Sequence, residues 1–192
     1  MTFPPLHRAL RPLAALMLAS AALAVHAAPF TRVDTEASHI TFGYTQMNVG
    51  MEGAFTAMKA TEFMFDPATP ESAKVVLEVP LESVDSGNAE ADAELVRPDW
   101  LAAEKHPVAR FESKAVKPLG ENRYEVSGPL SIKGTTRDIT FPVTFKTEGD
   151  KGVFEGSFTF QRADFGIGEG PWGDFSIVAN DVTIKFHVVA GQ

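Results

Sequence analysis

Gly128–Ile167 reads GPLSIKGTTRDITFPVTFKTEGDKGVFEGSFTFQRADFGI, and the rhythm of this stretch decides the fold. Leu130 and Ile132 point one way from a short strand, and Lys133-Gly134-Thr135-Thr136 supplies a turn. Ile139, Phe141, Val143 and Phe145 then alternate with Thr140, Pro142, Thr144 and Lys146. That period of two belongs to a strand with one buried face. A second turn at Glu148-Gly149-Asp150-Lys151-Gly152 leads into Phe154, Phe158 and Phe160, interleaved with Glu155, Ser157, Thr159 and Gln161. Two hairpins in succession predict an antiparallel meander.

The same pattern recurs outward from this core. Ile40, Phe42 and Tyr44 alternate, with Gln46 on the same face, and Met51, Gly53 and Phe55 follow a turn near Asn48-Val49-Gly50. Thr61, Phe63 and Phe65 end at Asp66-Pro67, and Val75, Leu77 and Val79 come next. Val108–Ser113, Arg123–Ser127 and Ile177–Val189 complete the series. Many short strands with regular turn signals, and no linker or fixed-period repeat, predict one domain built on a closed or nearly closed antiparallel sheet.

One segment departs from alternation. Asn88–Lys105 reads NAEADAELVRPDWLAAEK, rich in the helix formers alanine and glutamate. Pro98 removes a donor and disfavours helix at Arg97, which predicts two short helices, the second capped by Asp99 and turning Trp100 and Leu101 inward. Such an insertion suits a plug or a lid over one barrel end, with Pro98 as its hinge.

The N-terminus predicts export. Arg8 and Arg11 form a basic region, Leu13–Val25 is apolar and too short to span a bilayer as a helix, and Val25 and Ala27 are the small residues of a cleavage site. Residues 1–27 are expected to be a signal peptide and 28–192 the working domain, in the periplasm. Absence of cysteine argues against a lipid-anchored lipoprotein, against disulfide staples and against thiol chemistry. Loss of Arg8 and Arg11 takes the formal net charge from −8 to −10, an acidic balance that disfavours nucleic acid and anionic surfaces.

Enzyme signatures are weak. His39, His106 and His187 lie on different segments without metal-ligand spacing, so no metal is expected and the three read as unrelated. No GxSxG occurs, and Ser86-Gly87 and Ser127-Gly128 lack the flanks of a nucleophile elbow. Gly168–Asp174, GEGPWGD, lacks the lysine and the strand-to-helix context of a phosphate loop and reads as a mobile hairpin. Arg162 and Asp164 share a face of a regular strand and read as a structural pair. No catalytic residue and no cofactor are expected. Fifteen phenylalanines and six methionines supply an apolar interior that either fills a small barrel or leaves room for one elongated ligand. Met47, Met51, Met58 and Met64, adaptable thioethers, cluster in the first third.

LxIKGxTRDIxxPVxF followed by RxDFGI resembles the YceI-like family, periplasmic lipocalin-like proteins associated with polyisoprenoid and other lipid ligands. Asp34 with Ser38, Ile40 and Phe42, then Gly53-Ala54-Phe55, Phe65-Asp66-Pro67, Ser83-Val84-Asp85-Ser86-Gly87 and Lys105–Ser113 match further family motifs in order. The resemblance spans roughly Phe30–Val189 and implies a mainly β, lipocalin-like antiparallel barrel of about eight strands with a short helical insertion. It also implies an apolar small-molecule ligand such as a polyisoprenoid, quinone or fatty lipid, held in transport, storage or stress protection. The ligand-binding residues expected are Phe42, Tyr44, Gln46, Met51, Phe55, Phe63 and Trp100, and a homodimer is compatible with the sequence. A ligand-free barrel filled by its own side chains is the alternative, and a hydrolase or redox accessory ranks below it.

Four positions depart from the family pattern. Ala37 and Gln46 stand where many members carry histidine, Ala91 where they carry arginine, and Glu94 at a further polar position. If those groups hold a charged head group, this chain has lost donors and gained an acceptor. The departure implies a neutral or amide-type lipid or a quinone in place of a diphosphate.

Overall fold

The computed structural model describes residues 28–192; the expected signal peptide, residues 1–27, lies outside them. The described chain forms one curled antiparallel sheet of eleven strands. In chain order these are β1 (Arg32–Gln46), β2 (Val49–Phe55), β3 (Lys59–Met64), β4 (Lys74–Pro80), β5 (Val84–Asp85), β6 (Val108–Glu112), β7 (Ala115–Gly120), β8 (Arg123–Ile132), β9 (Thr135–Glu148), β10 (Lys151–Gln161) and β11 (Asp181–Gly191). One helix, α1 (Ala89–Leu95), is inserted between β5 and β6.

Strand order across the sheet is β3-β4-β6-β8-β9-β10-β11-β1-β2-β5, with β7 branching from β8. The sheet curls until Phe30, just before β1, bridges Phe65, just after β3, through paired backbone bonds of 2.8 and 2.9 Å. That single bridge keeps the register in which β1 pairs with β2. The sheet thus closes at this end while the ladder is interrupted between. Eleven strands appear where the resemblance implies about eight because β5 has two residues, β7 is a side branch, and β2 and β3 are one path broken at residues 56–58.

Turn chemistry explains the register. Lys133-Gly134, Glu121-Asn122 and Met47-Asn48 each place two consecutive residues at positive φ, the backbone that matches the twist of a two-residue hairpin. The first hairpin turn is therefore Met47-Asn48, one residue earlier than Asn48-Val49-Gly50 suggests, because Gln46 pairs directly with Val49. At Gly134 a side chain is barred twice over: φ is +76° and a Cβ would lie 2.6 Å from Cε1 of His106. His106 covers that turn.

The helical insertion forms by halves. Asn88 caps α1, its side-chain oxygen accepting from Glu90 N (2.9 Å) and Ala91 N (3.1 Å). The second helix does not form. After Val96 the chain makes turns, with Ala102 at φ +50° and long-loop bonds from Leu101 N to Leu95 O and from Ala103 N to Val96 O. Asp99 caps nothing; its carbonyl accepts from Gly168 N (2.8 Å) and Glu169 N (2.9 Å). Trp100 and Leu101 do turn inward and are buried.

Two apolar clusters fill opposite ends of the barrel. At the closed end Phe30, Phe65, Tyr124, Phe141, Phe145 and Phe154 cluster, with Phe65 edge to face against Phe154 at 4.9 Å and against Tyr124 at 5.3 Å. At the other end Leu81, Trp100, Leu101, Leu130, Phe165 and Ile167 join the 96–106 turns to the segment after β10.

Candidate ligand cavity

Between the two clusters runs a cavity of about 670 Å³, inside the range of small-molecule sites. Its floor is the aromatic cluster and its walls are inward positions of successive strands. β1 contributes Ile40, Phe42, Tyr44 and Gln46, because alternate residues share a face. Phe42 lies over Gly53, its register partner, where a Cβ would come within 2.4 Å of the ring. Glycine at 53 is what lets this phenylalanine lie against the backbone. Phe42 then meets Phe55 with ring centroids 5.4 Å apart.

All seven residues named from sequence, Phe42, Tyr44, Gln46, Met51, Phe55, Phe63 and Trp100, line this one cavity. The methionine cluster does not. Met51 is in the wall, Met58 packs against the floor cluster and Met47 is 70% exposed at the hairpin tip. Alternation through the β1–β2 turn points these thioethers to different faces.

Four wall residues also reach solvent, Arg110 on β6 and, beside α1 at the mouth, Met51, Asn88 and Glu90. Here α1 lies across the barrel end, adding Ala91, Glu94 and Leu95 to the wall. Trp172 Nε1 donates to Glu94 Oε1 at 3.1 Å, tying the Gly170–Gly173 turn to the helix. Asp92 accepts from Ser86 N (2.7 Å) and Ser86 Oγ (2.6 Å), tying the helix to β5. Burial, then the negative charge of Asp92, raises the Tyr44 phenol above its ordinary value, so Tyr44 stays protonated. Trp100 Nε1 is buried in this wall without a hydrogen-bond partner.

Sequence reading missed Ser86, Asn88 and Glu90. The signal available was Asn88 ahead of an alanine–glutamate run, a helix-start pattern that places the first turn at the barrel end.

Arg162 corrects the expected Arg162–Asp164 pair. Residues 162–165 form a 3₁₀ turn, which rotates Asp164 into solvent. Arg162 is 1% exposed, and its guanidinium makes five bonds to main-chain carbonyls. Nε donates to Ala179, Nη1 to Ile167 and Gly168, and Nη2 to Trp172 and Val178, at 2.7–3.0 Å. Its aromatic neighbours are Trp100 and Phe175, with the guanidinium carbon 5.6 and 5.1 Å from their ring centres. Burial lowers its pKa from the ordinary arginine value. The GEGPWGD stretch is therefore a 3₁₀ turn latched by Arg162, in place of a mobile hairpin.

The histidines are not all unrelated. His39 and His187 face each other across β1 and β11 with stacked rings 4.7 Å apart, and His187 Nδ1 lies 3.0 Å from Glu155 Oε1. Among the described residues no group of three or more histidines and carboxylates is placed to hold a metal. Ser86 Oγ donates to Asp92 and Asn88 main-chain O, a cap-and-turn arrangement.

The sequence pattern of the YceI-like domain matches residues 32–190. The chain is similar to a UPF0312 protein of Azotobacter vinelandii, 34% identical over 166 residues, covering 81% of this chain and 86% of the relative. The crystal structure of Burkholderia cenocepacia BcnA superposes with a TM-score of 0.80 at 39% identity, covering 82% of this chain and 99% of that one. A polyisoprenoid binding domain from Saccharophagus degradans shares the fold with a TM-score of 0.66 at 16% identity, covering 85% of this chain and 98% of that one. The chain belongs to the YceI-like family.

Proposed function

We propose that this protein binds one elongated apolar molecule, a polyisoprenoid, quinone or fatty lipid, in the cavity and carries or stores it after export to the periplasm. The observation that carries the reading is the cavity itself: about 670 Å³ with aromatic and aliphatic walls, left open although residues 28–192 carry fourteen of the chain's fifteen phenylalanines. Burying an apolar tail there is favourable by about 25 cal/mol per Å² before ordering costs are subtracted. The named ligand of the Saccharophagus degradans domain is in keeping with this. Binding, not catalysis, is the activity proposed, in keeping with a mouth where Asp92 and Asn88 serve as turn and cap residues and Glu94 latches Trp172.

The leader expected at residues 1–27 supports export, and N-terminal sequencing of the secreted chain tests it, with Ala28 as the expected first residue. Native mass spectrometry of the full-length product purified from an exporting host tests the ligand. An extractable apolar species bound one to one is expected, and Phe55→Asp, if folded, should lack it. A wild-type protein free of lipid that also fails to take up added 20-carbon prenols would contradict the reading.

A further inference from the structure

The charged groups around the cavity mouth constrain the head group of the ligand: Glu94 is held by Trp172 and Arg97, while the Glu90 carboxylate makes no ion pair or side-chain hydrogen bond with the described residues. Among the described residues the cavity wall includes two cations, Arg110 and Arg162. Neither is free. Arg110 is exposed, between the inward Ala109 and Phe111, and its guanidinium meets Glu78 (3.7 Å) and Glu112 (2.8 Å). Arg162 spends its guanidinium on five main-chain carbonyls.

The mouth itself is acidic. Glu90 and Glu94 line it, and Asp92 stands on the same helix. Arg97 approaches Glu94 at 3.5 Å, but its side chain is 67% exposed and it is not part of the wall. Glu94 Oε1 already accepts from Trp172, which leaves the carboxylate fixed in place and still able to accept. The negative field reaches the wall, since Asp92 contributes to the raised pKa of Tyr44. Of the neutral groups nearby, the Tyr44 hydroxyl and Gln46 can donate or accept and Asn88, its oxygen spent on the cap, can donate, none adding positive charge. Like charges repel more strongly at the half-buried Glu94 than in water, and less so at the exposed Glu90.

From this arrangement we infer that the cavity selects ligands whose head group donates hydrogen bonds and carries no negative charge, and that Glu90 and Glu94 are the residues that exclude phosphate and carboxylate heads. An alcohol, primary amide or amine head on an isoprenoid tail satisfies the mouth. A diphosphate head meets two carboxylates, while both wall cations are already engaged and Arg97 stands outside the wall. The inference rests on the lipid-binding reading above, and its test separates the two.

The probes are three lipids with one 20-carbon tail: geranylgeraniol, geranylgeranylamine and geranylgeranyl diphosphate. Each is titrated into delipidated protein by calorimetry at low and at moderate salt. The alcohol and the amine should bind at least about tenfold more tightly than the diphosphate, with the gap shrinking as salt rises. Glu90→Gln with Glu94→Gln keeps the amide oxygen that Trp172 needs and should narrow the gap, by tighter diphosphate binding and not by weaker alcohol binding. Diphosphate binding equal to or tighter than the alcohol would overturn the inference while leaving lipid binding intact. A gap that the double variant leaves unchanged would overturn the assignment to Glu90 and Glu94. Failure of all three lipids to bind folded protein would overturn the binding reading and this inference with it.

Discussion

The floor and the mouth of the barrel are held by different physics. The floor is rings on rings: Phe65 contacts Tyr124, Phe145 and Phe154 at centroid distances of 4.9–5.3 Å, and β9 and β10, which carry two of these rings, are paired on both sides. The mouth is held by point attachments, with Arg162 gathering five carbonyls, Asp92 holding Ser86, and Trp172 holding Glu94. Dispersion and burial hold the floor cluster, whereas the mouth end adds to its own apolar cluster a few polar atoms that fix its loops. A barrel built this way keeps one rigid end and one end whose geometry a single substitution can undo.

The largest effect is therefore expected from a single arginine. Arg162→Met should cost upwards of about 5 kcal/mol, because it strands five carbonyls that fold onto one guanidinium. Thermal unfolding checks this, and Arg162→Lys should recover only part of the loss, since an ammonium has three donors and no planar fork. A variant as stable as wild type would mean that the mouth is held some other way.

Next comes a contrast between floor and wall. Phe154→Ala should cost about 3–5 kcal/mol, since its ring sits among Phe30, Phe63, Phe65 and Phe145. Phe42→Ala should cost roughly 1–2 kcal/mol, since that ring fronts open cavity. The ordering should reverse for ligand affinity, where Phe42→Ala is the more damaging. Equal stability losses would mean that the cavity is closed up in solution.

How much of this was legible differs between the two ends for the same reason. Alternation in β9 and β10 announced Phe141, Val143, Phe145 and Phe154 as one buried face, and the wall of β1 followed from Phe42, Tyr44 and Gln46 in the same way. Side-chain patterns record burial because each buried position needs an apolar residue. The partners of Arg162 are main-chain carbonyls from residues 167–179, and a carbonyl is present whatever the side chain. Nothing in the letters of that loop announces them, and side-chain spacing alone points Arg162 at Asp164. The second half of the helical insertion failed similarly: Pro98 signalled the break, but Asp99's carbonyl is taken by Gly168 and Glu169, two backbone donors from a distant loop.

That failure relocates the expected gate. Trp100, Leu101 and Ala103 are buried, so the segment after Pro98 is anchored, while α1 has no buried residue. Amide hydrogen exchange should be fast across Ala89–Leu95, slow across 100–103, and slowed in α1 when lipid is bound. Uniform protection from Asn88 to Lys105 would make the insertion a plain plug.

The smallest effect concerns the outer face. The hydrogen bond to His187, followed by Lys146, holds the Glu155 carboxyl below its ordinary value of 4.5. A depressed folded pKa contributes stability above the unfolded value, and that contribution is lost as pH falls through the folded one. Glu155→Gln should therefore remove under about 1 kcal/mol at neutral pH and flatten the stability curve below about pH 4.5. An unchanged acid limb would assign it to other carboxylates.

The most direct test of the central claim, that an apolar tail lies between floor and mouth, is an isotope-filtered NMR spectrum of labelled protein saturated with unlabelled geranylgeraniol. Cross-peaks from the tail should reach Phe42, Phe55 and Phe158 in the wall and Phe154 at the floor, with the hydroxyl end near Tyr44 and α1. Cross-peaks confined to the exposed Met47 and Phe175, or none to the barrel interior in a folded and saturated sample, would contradict the account.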